Sequence, residues 1–67
     1  MRADELRNLV GELQRLPERQ RIALVDHELG GASHETIARR LNVSVGGSKA
    51  LVCRARSGLG RARTAAA

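Results

Sequence analysis

The sequence predicts an all-α fold, a small four-helix domain that ends in a helix-turn-helix. Three observations predict it. Leucine, valine, isoleucine and alanine recur at intervals of three and four in four stretches, the period of helices with one buried stripe. Pro17, Gly30-Gly31 and Asn42 stand between those stretches as breakers. The last two stretches, one short and one long and basic, are joined by Asn42-Val43-Ser44 alone, the spacing of a helix-turn-helix.

The first helix is expected over Arg2 to Leu16, where Leu6, Leu9, Leu13 and Leu16 form one apolar stripe. Asp4 and Glu5 suit the positive end of its dipole. Gly11 within it costs about 1 kcal/mol relative to alanine, so this helix leans on tertiary packing. Pro17 fits the first position of a second helix, where its missing N–H is harmless. That helix runs to about Leu29, with Ile22, Val25 and Leu29 inward and Arg19, Arg21, Asp26 and Glu28 outward. Gly30-Gly31 ends it, and His27, near its end, reads as a surface residue.

Ser33 is the expected cap of a short third helix with Ile37, Ala38 and Leu41 inward. Asn42 suits the left-handed position that opens the turn, and Ser44 caps the fourth helix, expected over about 45–60. On a helical wheel, Val45, Ser48, Val52, Ala55 and Leu59 share the core side. Gly46, Gly47, Ala50, Arg54 and Ser57 lie opposite, with Lys49 and Cys53 on one flank. Side chains this small let the helix backbone approach a groove floor, while Lys49, Arg54 and Arg56 reach phosphates or guanine edges. The core-side hydroxyl of Ser48 is expected to bond back to a carbonyl in the preceding turn. The domain is expected over residues 1–63, with 64–67 a disordered tail.

Composition limits the functions available. With 67 residues, nine leucines, five valines, two isoleucines and no aromatic residue, the chain can pack a few helices and not a deep enzyme pocket. The net charge of +5 is divided unevenly. All seven acidic residues lie at or before Glu35, against five arginines, whereas seven basic residues and no acid follow it. A basic C-terminal half implies a polyanion partner, and a mixed, leucine-rich N-terminal half a different one. A lone cysteine, Cys53, fits a reducing cytoplasm and excludes an internal disulfide. Two histidines with no second cysteine make a structural zinc site unexpected, and no cofactor is implied. His34-Glu35 has no nucleophile beside it, so no enzyme is expected and no small-molecule substrate. No apolar run reaches the roughly 20 residues of a membrane span.

Taken together, Leu16-Pro17-Glu18-Arg19-Gln20-Arg21, His34-Glu35-Thr36-Ile37-Ala38, Leu41-Asn42-Val43-Ser44-Val45-Gly46, Lys49 and Arg54-Ala55-Arg56 resemble region 4 of a bacterial sigma factor of the sigma-seventy family. The closest group is the extracytoplasmic-function (ECF) class, and the resemblance covers about residues 5–62. It implies that the last two helices bind the minus-35 promoter element as double-stranded DNA in the major groove. It also implies that the first helices, through Leu6, Leu9, Leu13, Leu16 and Ile22, dock on the flap of the RNA polymerase β subunit. In this class an anti-sigma factor often grips the same domain. By position, Arg39 and Arg40 approach the DNA backbone, Ser44 caps the recognition helix beside a phosphate, and Lys49, Arg54 and Arg56 match its basic positions. Gly47, Ser48 and Cys53 complete the set expected at DNA.

The chain departs from the pattern at Gly47, Ser48, Ala50 and Leu51, where the family commonly has threonine, valine, serine and arginine. Base readout is therefore expected to rest on Arg54 and on contacts of Ala50 or Cys53 with thymine methyls. The promoter-melting region 2 of an ECF factor is not in this sequence, which implies an excised domain or a companion subunit. A second reading is a protein-interaction module held mainly by the flap, an anti-sigma factor or an activator. A third is the helix-turn-helix of another regulator, such as a response-regulator output domain or a recombinase. The Leu-Pro-Glu-Arg-Gln start and the lack of a dimerisation helix oppose the response-regulator case.

Overall fold

In the computed structural model, residues 2–59 are described with their side chains, and the last helix is followed further along its backbone. Four helices form in order: α1 (Ala3–Arg15), α2 (Glu18–Glu28), α3 (His34–Leu41) and α4 (Val45–Ala66). No strand occurs among the described residues. The backbone of α4, expected over about 45–60, runs to Ala66 and so through most of the tail expected at 64–67; Ala67 lies outside the described residues.

Local chemistry sets the boundaries. Pro17 is the N-cap of α2, one position earlier than expected, and its carbonyl accepts from Arg21 N at 3.0 Å. After α2 the chain turns at Gly31, whose φ of 67° is open to glycine at little cost. A side chain at Gly30 would meet the Asp26 carbonyl oxygen at 2.8 Å. Ser33 caps α3 by accepting from Thr36 N at 3.1 Å. Asn42 closes α3 in the left-handed region (φ 56°, ψ 49°). Asn42 N donates to Arg39 O and Val43 N to Ala38 O, the paired bonds of a Schellman motif. Ser44 Oγ then accepts from Gly47 N at 2.9 Å, capping α4. Two caps back to back within three residues fix the turn between α3 and α4.

α4 is the spine, packed along α2 and α3 and touching α1. The core joins Ala23 and Leu24 of α2, Ile37 of α3, and Val52 and Ala55 of α4. Leu13, Leu16, Ala32, Leu41, Leu51 and Leu59 pack around it.

Two expected faces are corrected, and so is Val45, expected on the core side of α4 but 36% exposed in its first turn. On α2 the inward residues are Ala23 and Leu24; Ile22 and Val25 are half-buried, and Leu29 is 80% exposed. Ile22-Ala23-Leu24-Val25 is an unbroken apolar run, so spacing alone does not fix which part faces in, and the small Ala23 permits close approach. On α1 the stripe is buried only toward its C-terminal end. Leu13 and Leu16 meet the core, while Leu6 is 52% exposed, because the first turns of α1 have little to pack against.

Candidate nucleic-acid interface

α3 and α4 meet through Ile37 and Val52, and their short turn leaves one side of α4 open. On that side Gly46, Lys49, Cys53, Arg54 and Ser57 are exposed, with Gly47 and Ala50 half-buried between them. Arg39 and Arg40 are exposed at the C-terminal end of α3, where cations also suit the helix dipole. The exposed face of α4 thus has a floor of small side chains, cations at its edges, and no carboxylate of its own.

The expected DNA-contacting residues divide into three groups. Arg39, Ser44, Gly47, Lys49, Cys53 and Arg54 lie on or beside this face, and Arg39, Lys49 and Arg54 make no ion pair among the described residues. Arg40 and Arg56 are tied to α2, Arg40 donating to Asp26 and Arg56 to Glu28. Such exposed pairs are worth about 0–1 kcal/mol, so a phosphate can compete for either arginine. Ser48 is a correction: it is 0% exposed, turned into the α3–α4 seam. Its expected bond to a carbonyl is also replaced. His34 Nδ1 lies 3.0 Å from Ser48 Oγ, making a link between α3 and α4.

That link belongs to a cluster the sequence reading missed. His27 is half-buried, not a surface residue; its Nδ1 donates to Ala32 O at 3.0 Å, and its ring stacks on that of His34 with centroids 4.4 Å apart. The available signal was Ser48 itself, since a hydroxyl on the core side requires a partner. Beside the cluster, the carboxyl of Glu35 is held below its ordinary range. The first cause is its hydrogen bond from backbone, followed by Ser33 and the fields of His34 and Lys49, with desolvation opposing them.

A second feature opens between α1, α2 and α4. Leu9, Leu13, Leu24, Val25, Leu29 and Leu59 line an open groove of about 490 Å³, and the Glu28–Arg56 pair stands at it. Of the residues expected to meet protein, Leu9 and Leu13 line this groove. Leu6 is exposed further along α1, Leu16 turns toward Gly58, and Ile22 is half-buried on α2 outside the groove lining. No group of three metal-ligating side chains occurs among the described residues, and none of their helices is long and apolar enough to cross a membrane.

A compact helical domain with a doubly capped turn and a basic, small-residue face on its last helix defines a helix-turn-helix of the DNA-binding class. The family described as "Sigma-70, region 4" matches residues 6–59. The chain belongs to that family, whose role is to bind the minus-35 promoter element and to interact with RNA polymerase. No curated protein and no solved structure matches the chain.

Proposed function

We propose that the domain reads the minus-35 element of a promoter by laying α4 in the major groove while its α1–α2 side docks on the polymerase β-subunit flap. The observation that carries this reading is the exposed face of α4. Its floor of Gly46, Gly47 and Ala50 admits the helix deeply, Arg54 stands on the face and Lys49 and Cys53 on its flank, and Lys49 and Arg54 have no carboxylate partner among the described residues. Arg54 is the candidate for a guanine edge, Lys49 and Arg39 for phosphates, and the first turn of α4 after Ser44 for a further phosphate. Ala50 and Cys53 offer thymine methyls an apolar contact. Arg40 and Arg56 join by exchanging Asp26 and Glu28 for the DNA backbone. Ser48, being enclosed, makes no part of the contact.

Lys49→Ala combined with Arg54→Ala tests the assignment. Loss of a base contact and a phosphate contact is expected to weaken binding to the preferred duplex by about 2–4 kcal/mol, more than a hundredfold at the upper end. Unchanged affinity in a gel-shift titration, with a native circular dichroism spectrum, would place the DNA elsewhere.

The groove supports a second reading, a module whose main partner is protein: the flap, an anti-sigma factor or an activator. Leu29, 80% exposed at the groove, is the observation in its favour. Under that reading DNA affinity stays near the non-specific range, about 10⁻⁴ to 10⁻⁶ M, while protein binding tolerates salt. The ECF class fits either reading.

A further inference from the structure

Among the described residues, Ser48 is the buried polar side chain, and it sits in the first turns of the proposed recognition helix. Its backbone N–H is spent on Ser44 O at 2.9 Å, and its hydroxyl meets His34 Nδ1 at 3.0 Å. His34 is in turn braced by the stacked ring of His27. A carbonyl can only accept, so the bond to Ala32 O places a proton on Nδ1 of His27. The Ser48 hydroxyl has one hydrogen to give, and His34 Nδ1 is its partner among the described side chains.

We propose that His34 is a positioning residue for α4: as the neutral Nε2–H tautomer it accepts the Ser48 hydroxyl proton, and protonation of His34 weakens that hold. This rests on the reading of α4 as the DNA-contacting helix. Protonated imidazole has a hydrogen on both nitrogens, so Nδ1 becomes a donor and Ser48 must turn its own hydrogen elsewhere inside the seam. A second charge on His27 would then face the first across stacked rings 4.4 Å apart. Of the charged groups on the packed elements, Asp26 and Glu28 of α2 are engaged by Arg40 and Arg56, Glu35 of α3 follows His34 directly, and Lys49 of α4 follows Ser48.

The deciding experiment is long-range ¹H–¹⁵N NMR of the two imidazoles in the full chain near neutral pH. The expected result is opposite tautomers, with His34 bare at Nδ1 and His27 bare at Nε2. A proton on His34 Nδ1, with Ser48 donating to its own preceding turn, would overturn the proposal.

A second comparison separates positioning from packing. From about pH 7.5 to about pH 5.5, the interval in which imidazole gains charge, duplex affinity is compared between wild type and Ser48→Ala. Added positive charge favours DNA in both proteins, so the ratio between them is read. Wild type is expected to lose about fivefold relative to the variant, the weight of one net hydrogen bond; a constant ratio contradicts the proposal. His34→Phe, which keeps a stacked ring without the acceptor, should behave as Ser48→Ala does and replaces it if that variant fails to fold. Amide-exchange protection over residues 49–52 of the free protein provides the same comparison without DNA. If no duplex binds at any pH, the promoter reading fails, and the tautomers and exchange data still decide the role of His34.

Discussion

Ser33, Asn42 and Ser44 each do one job that their residue type makes cheap: two side-chain oxygens cap helices, and one amide residue turns left-handed. All three were legible in the sequence, because capping depends on neighbours one to four residues away. Ser33→Ala should lower the unfolding free energy by about 1 kcal/mol, measured by urea titration, because Thr36 N loses its acceptor. A loss of less than a few tenths would show water serving equally well. Ser48 marks the limit of local reading. Helical period turned it inward correctly, but its partner, His34, is fourteen positions away on another helix. With a half-buried His27 stacked behind it, the partner could be found only after α2, α3 and α4 were placed together.

At the scale of elements, all four helices were legible from their breakers, caps and apolar period, but the C-terminal end of α4 was not: it was expected near residue 60, and the helix runs through Gly58 and Gly60 to Ala66. The inward face was legible where polar residues interrupt that period, as in α3, where Ile37 and Ala38 are buried. It was not legible in α2, where four consecutive apolar residues leave the phase open and packing against α4 selects Ala23 and Leu24. Nor does an apolar stripe reveal how much of it will be covered, as Leu6 on α1 shows. Gly11 lies mid-α1 with nothing within 4 Å of where its Cβ would stand. Gly11→Ala is therefore expected to stabilise the domain by up to about 1 kcal/mol, seen as a higher melting temperature. A lower one would mean that α1 must bend or open there to function.

For the molecule as a whole, the division of charge in the sequence corresponds to a division of surfaces. The acid-free second half supplies α4 with a face whose cations are free of carboxylates on their own helix. The mixed first half supplies most of an apolar groove. Its carboxylates Asp26 and Glu28 also reach across to Arg40 and Arg56, so the two halves are not electrically separate. Those cross-pairs depend on tertiary placement, which is why charge counting did not separate Arg40 and Arg56 from Arg39, Lys49 and Arg54. The structure leaves Arg39, Lys49 and Arg54 as the unpaired ones among the described residues on this side.

The most direct test of the central claim is fluorescence anisotropy of labelled duplexes, a minus-35 element against a scrambled one, across a salt series. The label belongs on the DNA, because the chain has no tryptophan or tyrosine. A promoter reader that sets Lys49 and Arg39 on phosphates and Arg54 on a base edge should prefer the minus-35 duplex and show a slope of log affinity against log salt of about −2, steepening if Arg40 and Arg56 exchange their partners for phosphates. Equal binding to both duplexes, or an affinity indifferent to salt, would contradict the claim and leave the groove as the functional surface.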